Sequence, residues 1–94
     1  MNVVRMYVLD TGKETQKLVL PEKSRVLSVC VKQETIYVSV EEDVNANMRR
    51  SYYHTVEFAV FKEGRYFHVD DYQFLGTIVL EFGNTIYHVF YRNV

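Results

Sequence analysis

Two stretches of the sequence combine arginines with aromatic side chains: Arg49, Arg50, Tyr52 and Tyr53 in the first, and Arg65, Tyr66 and Phe67 in the second. Guanidinium groups match the geometry of phosphates, and aromatic faces stack on nucleotide bases. These side chains are therefore the candidate ligand-binding residues, and the chemistry that they predict is the binding of a small nucleotide. The alternative is that the rings pack a core while the arginine head groups stay in water.

Catalytic groups are harder to assemble from this sequence. The serines lack a nucleophile-elbow motif, and Cys30 lies in an apolar run, which is typical of a buried, inert thiol. Three histidines are too scattered for the spacing of metal ligands: His54, His68 and His88. Two runs of acids are interpreted as solvated turns: Glu41, Glu42 and Asp43 in the first, and Asp70 and Asp71 in the second. We therefore predict no catalytic residue, no metal ion and no cofactor.

Length and charge narrow the class of protein. Ninety-four residues fit a single domain, 1–94, and the net charge of −1 includes no basic stripe, which argues against binding a long nucleic acid. A lone cysteine excludes an intrachain disulfide and favours a reducing compartment. No apolar run is long enough to span a membrane, and residues 1–5 do not predict a signal peptide, because they lack a charged region followed by an apolar stretch. The expected location is the cytoplasm.

Apolar residues alternate with polar ones from end to end, with a period of two, and the chain contains eight Tyr and six Phe. Both features are typical of pleated strands. The predicted strands span residues 3–9, 15–20, 25–32, 35–41, 52–61, 74–82 and 86–91, with Pro21 ending the second. Seven short, mainly antiparallel strands predict an all-β domain, either a small sandwich or a barrel.

Two short connections and the last strand carry further expectations. Gln33-Glu34 and Gly83-Asn84 are each predicted to join two strands in a hairpin. The last strand is apolar on both faces, so one face must enter the core. The other needs cover from a neighbouring subunit, a loop or a ligand. We therefore predict a homo-oligomer, a dimer or a tetramer.

A family resemblance lies in the sequence from Gln16 to Val29 and in two later segments, Leu75–Val79 and Ile86–Phe90. They are similar to the P-K-G-A-x-I-L-x-V, G-T-V and H-V-F segments of short phage proteins catalogued mainly as a domain of unknown function. The chain departs from that pattern at Tyr37, where the family has Trp, and in the loop before the sixth strand, where the family has Gly-Thr-Gly-His. The ligand chemistry of this chain therefore need not follow that of the family.

Among phage proteins, the chain resembles the anti-CBASS sponges, which bind the cyclic dinucleotide 3′3′-cGAMP and withhold it from bacterial immune effectors. The resemblance implies a non-enzymatic oligomer that sequesters a cyclic dinucleotide in the host cytoplasm. The main alternative is a phage protein that inhibits or modulates a host protein by direct contact through a strand edge and tyrosine-rich loops. A virion subunit would use the same surfaces, and a signal-degrading hydrolase would need a metal ion or an acid-base cluster.

Overall fold

The computed structural model describes residues 1–45, 52–68 and 71–94. They form seven strands: β1 (Asn2–Leu9), β2 (Thr15–Pro21), β3 (Arg25–Lys32), β4 (Thr35–Asp43), β5 (Tyr53–Lys62), β6 (Gln73–Leu80) and β7 (Thr85–Asn93). One sheet has the order β1-β4-β3 and the other has the order β2-β5-β7-β6, with every pair antiparallel. The all-β prediction is confirmed, and the architecture is a sandwich rather than a closed barrel.

The core lies between the two sheets and follows the alternation of the sequence. Ile36, Val38 and Val40 of β4 are fully buried, and they face the buried Val56 and Phe58 of β5. Residues two apart in a strand project from the same face, so these positions line the inner surface while their neighbours point outward. On β7 the face with Val89 at its centre enters the core.

Two details of the strands differ from the sequence-based expectation. The second strand was predicted to end before Pro21, but Pro21 is the last residue of β2. The strand can include it because β2 is an edge strand and its final position tolerates a missing N–H. In β3 the register shifts between Val26 and Ser28, and this bulge leaves Leu27 exposed. The alternation had assigned Leu27 to the same face as Val29, and that assignment was wrong.

Both predicted hairpins form, with different loops. Gln33 and Glu34 have φ values of 51° and 61° and make a two-residue turn, because Lys32 pairs with Thr35. The second hairpin has a longer loop, residues 81–84, since Leu80 pairs with Thr85. The sixth strand therefore ends before Phe82, which is exposed.

The sandwich is closed on one side and open on the other. On the closed side β6 approaches β3 so tightly that a Cβ on Gly76 would lie 2.7 Å from Val29 Cγ1. On the open side, β1 and β2 do not pair with each other. Near the turn that connects them, the Gln16 side chain makes two hydrogen bonds to the Asp10 backbone. The radius of gyration, 13.9 Å, exceeds the roughly 12 Å typical of this chain length.

The outer face of β7 is covered by the segment that connects β5 to β6. The Phe67 ring stacks on Phe61 with their centroids 4.0 Å apart, and it lies 5.2 Å from Phe90 of β7. Phe74 meets Phe90 edge-on from β6. The loop, which is one of the three covers considered for this strand, therefore covers part of its outer face. Among the described residues, no helix is long and apolar enough to cross a membrane.

Candidate functional site

The open side of the sandwich contains a cleft of about 730 Å³ between the edges of β1 and β2. Its lining comes from two edge strands and the strand next to each: Val3, Val4, Arg5, Met6, Tyr7, Val19, Pro21, Glu42 and Tyr53. This volume is in the range of sites that hold a small molecule or a short piece of chain. The cleft combines apolar walls with a small polar group at one place.

Glu42 is the centre of that polar group. Its side chain is only 5% exposed, it accepts a hydrogen bond from the Tyr7 hydroxyl, and Arg5 Nε lies 3.4 Å from its Oε1. The interpretation of Glu42 as part of a solvated turn was wrong, because β4 continues to Asp43. Glu42 is in phase with Val38 and Val40, so the same alternation that identified the core also places this carboxylate on the inner face.

The surroundings of Tyr7 keep its hydroxyl protonated. Burial, together with the hydrogen bond to Glu42, raises the pKa of Tyr7 to about 12. The Tyr7 hydroxyl therefore remains a donor to the carboxylate at neutral pH. Among the described residues, Oε1 of Glu42 has only the longer contact with Arg5, whose side chain is about half exposed at the cleft. The cleft thus offers a carboxylate oxygen that can accept a further donor.

Within the described part of the chain, the walls of the cleft include backbone groups without a ladder partner. β1 pairs with β4 alone and β2 with β5 alone. The Val44 N–H donates to the Met1 carbonyl. Because hydrogen-bonded pairs alternate along an antiparallel ladder, the backbone N–H and C=O groups of the odd-numbered residues of β1 point toward β4. The N–H and C=O groups of Val4, Met6 and Val8 consequently point to the open edge.

The structure does not bring the sequence-predicted ligand residues into one site. Arg49 and Arg50 lie outside the described residues, and their role stays a prediction. Tyr53 lines the cleft at the first residue of β5, and the exposed Tyr52 precedes it. The second predicted group follows the other end of this ten-residue strand, about 30 Å away.

The side chains of this second group point to separate surroundings. Arg65 lies 3.6 Å from the Glu14 carboxylate, with both side chains largely exposed. The Tyr66 side chain is fully exposed, whereas Phe67 packs in the aromatic cover of β7. The cleft residues that sequence reasoning missed include Tyr7 and Arg5, which lie in a strand and not in a loop.

A second polar cluster anchors the end of the covering segment. The Tyr72 hydroxyl donates to Glu57 Oε1 at 2.6 Å, Arg92 Nε donates to the same oxygen at 2.8 Å, and the guanidinium lies over the Tyr72 ring. The hydrogen bond from Tyr72, followed by that from Arg92, lowers the pKa of Glu57. We assign this cluster a structural role, because it ties the segment before β6 to β5 and β7.

His88 is also held by neighbours. Its Nε2 lies 2.6 Å from the Glu63 carboxylate, and its Nδ1 lies 2.9 Å from the Thr77 hydroxyl. In the part of the chain that the structure describes, no three His, Cys, Asp or Glu side chains gather as metal ligands do. Cys30 is half-buried opposite Tyr37, on the outer face of its sheet, and not in the core as its apolar neighbours had indicated.

One of the comparisons with known proteins identifies a family for this chain. No curated protein and no solved structure matches this chain. A family model does match it, over residues 1–94, and that model is described as a domain of unknown function. The match covers the whole of the printed sequence. The chain therefore belongs to the DUF7352 family.

Proposed function

We propose that this protein acts by binding, without catalysis, and that it inhibits or modulates a partner protein by taking up an extended segment of that partner in the cleft between β1 and β2. The observation that carries this proposal is the cleft itself, which is bordered by two strand edges whose outward backbone groups have no ladder partner among residues 1–45, 52–68 and 71–94. An extended peptide satisfies such groups by adding a strand to the sheet.

The side chains along the cleft favour a segment with two different faces. Val4 and Met6 are about half exposed on the outer side of β1, and they favour apolar residues opposite them. Glu42 and Tyr7 favour a residue on the inner side that carries hydrogen-bond donors. A strand with alternating apolar and polar residues, one of them basic, meets both requirements.

A labelled probe peptide tests this proposal. The probe has eight residues, alternating valine and threonine, with one central lysine, and its binding is followed by fluorescence polarisation. We expect saturable binding that weakens about tenfold or more when two alternate amides of the peptide are N-methylated, because those amides can no longer donate to the edge. Equal binding of the methylated and unmethylated peptides would contradict strand addition.

A variant of the protein provides the matching control. Met6→Pro removes one N–H that points to the open edge, while the ladder between β1 and β4 keeps its own bonds. Far-ultraviolet circular dichroism checks that the sheet content is unchanged. We expect the folded variant to bind the probe about as weakly as the wild-type protein binds the methylated peptide.

A second candidate function is the sequestration of a cyclic dinucleotide such as 3′3′-cGAMP, which would inhibit CBASS signalling. Its specific support is that Arg5, Tyr53 and Glu42 line one cleft, which combines a phosphate-binding cation, a stacking ring and an acceptor for base N–H groups. It ranks second because Arg5 is already ion-paired with Glu42, and a ligand with two phosphates would approach a buried carboxylate.

Thermal shift with a panel of cyclic dinucleotides tests this second candidate. Capture predicts a higher melting temperature with 3′3′-cGAMP, and chromatography of the ligand released by heating should recover it intact. Arg49→Ala, Arg50→Ala and Arg5→Ala should each reduce the shift. The absence of any shift would leave the partner-protein proposal alone, and a cleaved ligand would indicate an enzyme.

A further inference from the structure

We infer that a second copy of this chain adds to β1 through its own β1, so that the strand-binding edge is occupied by a homodimer when no partner segment is present. The inference rests on the proposed function in one respect, since the same edge serves both. It differs in the occupant, which is β1 itself, and in its consequence, which is that a partner must displace a subunit.

β1 differs from the other edge strands of the described structure. A bulge interrupts β3 after Val26, another interrupts β6 after Phe74, and β2 ends in Pro21. Bulges and prolines are the means by which proteins prevent edge strands from pairing with other chains. β1 has neither, because all eight of its residues pair with β4 in an unbroken register. It is therefore the edge best suited to accept another strand.

The sequence of β1 is complementary to itself in one antiparallel register. With Met6 opposite Met6 of the second copy, Val4 lies opposite the second copy's Val8, and the outward-pointing backbone groups form a ladder. Val4, Met6 and Val8 are 55%, 50% and 57% exposed in the single chain. Their six side chains would form one apolar ribbon across the dyad and shield one another from water.

The charges select the same register. A shift that places Arg5 opposite Arg5 of the second copy would set two like charges across the dyad, which is unfavourable. With Met6 on the dyad, Arg5 lies opposite Tyr7 of the second copy instead. The Tyr7 hydroxyl contacts Glu42, so each guanidinium approaches the carboxylate group of the other cleft. Each subunit thus contributes a cation to the polar group of its neighbour.

Disulfide crosslinking tests both the edge and the register. In a Cys30→Ser background, Met6→Cys places two thiols on the dyad, with Cα atoms about 5.5 Å apart, within the range that a disulfide spans. We expect mild oxidation to give a covalent dimer in high yield. Val79→Cys is the matched control, since Val79 is 47% exposed on the bulged edge strand β6, and it should remain monomeric on a denaturing gel.

The proposed register also predicts which other cysteine variants should crosslink. Val4→Cys alone should not crosslink, whereas the double variant Val4→Cys, Val8→Cys should, because each cysteine then faces one of the second copy. Light scattering of the wild-type protein should give twice the 11.2 kDa chain mass, and Met6→Lys should give the single mass with unchanged circular dichroism.

The outcomes separate this inference from the proposed function. A wild-type monomer at micromolar concentration, or equal crosslinking of Met6→Cys and Val79→Cys, would overturn the dimer while leaving peptide binding to be judged by the probe. A wild-type dimer and a monomeric Met6→Lys variant that both fail to bind the probe peptide would support the second copy as occupant and contradict the partner-protein proposal. If both proposals hold, Met6→Lys cannot test peptide binding separately, because it alters the edge that serves both. In that case, adding probe peptide to the wild-type protein should convert the dimer to the monomer.

Discussion

Replacing Gly76 with valine should destabilise the fold by about 1–3 kcal/mol, the usual cost of forcing extra carbon atoms into a packed core. Even a Cβ at this position would lie 2.7 Å from Val29 Cγ1, far inside van der Waals contact. The backbone of β6 is held by its ladder to β7, and Val29 by its ladder to β4, so neither can withdraw freely. Urea unfolding followed by circular dichroism measures the loss.

A double-mutant cycle shows whether the contact itself is responsible. Val29→Ala on the Gly76→Ala background removes the methyl group that clashes, so we expect the double variant to be more stable than the sum of the two single changes predicts. Val79→Ile is the control for added carbon atoms, because Val79 is 47% exposed on the opposite face of the same strand. Strict additivity would show that the sheets have room to separate at β3 and β6.

The second large effect concerns pH and the cluster of Glu57, Tyr72 and Arg92. Because the folded protein lowers the pKa of Glu57 below its ordinary value of 4.5, the ionised carboxylate stabilises the fold above that value. The stabilisation is lost as the pH falls from 4.5 through the lower folded pKa. We expect the melting temperature to decrease over this acid range, and to decrease less steeply in Glu57→Gln.

The control for general acid sensitivity is Glu22→Gln, which makes the same chemical change at an exposed position. It should keep the pH dependence of the wild type. At neutral pH, Glu57→Gln should also melt at a lower temperature, because the amide cannot replace the ion pair with Arg92. Identical pH profiles for Glu57→Gln and wild type would show that another carboxylate governs the acid transition.

Local periodicity was sufficient to predict the elements of this fold, and insufficient to predict how they meet. Ile36, Val38 and Val40 alternate with polar neighbours, so their strand and its buried face could be read directly. The bulge beside Leu27 could not, because it depends on how β3 is matched to β4. The division into two sheets could not be predicted either. β1 pairs with a strand that begins 26 residues after Leu9, and no local signal encodes that pairing.

The candidate site shows the same limit in a different way. Arginines beside aromatics in loops are a reasonable signal for ligand binding, but Tyr53 and Arg65 lie near opposite ends of β5, and only the fold determines their separation. Glu42 was within reach of sequence reasoning, because extending the alternation of β4 by two residues places it on the inner face. What no pattern reveals is that the edges of β1 and β2 do not pair with each other and leave that carboxylate in a cleft.

The position of β7 has a consequence for how the protein forms during translation. β7 lies between β5 and β6, although it is made after both. Until residues 85–93 have left the ribosome, β5 has only β2 beside it, and β6 has no sheet to join. The pairings that complete this sheet therefore form only once β7 is available, and those between β5 and β7 join distant parts of the sequence. The half-made sheet, in which Phe58 lacks its neighbour strand β7, would be the species most in need of a chaperone.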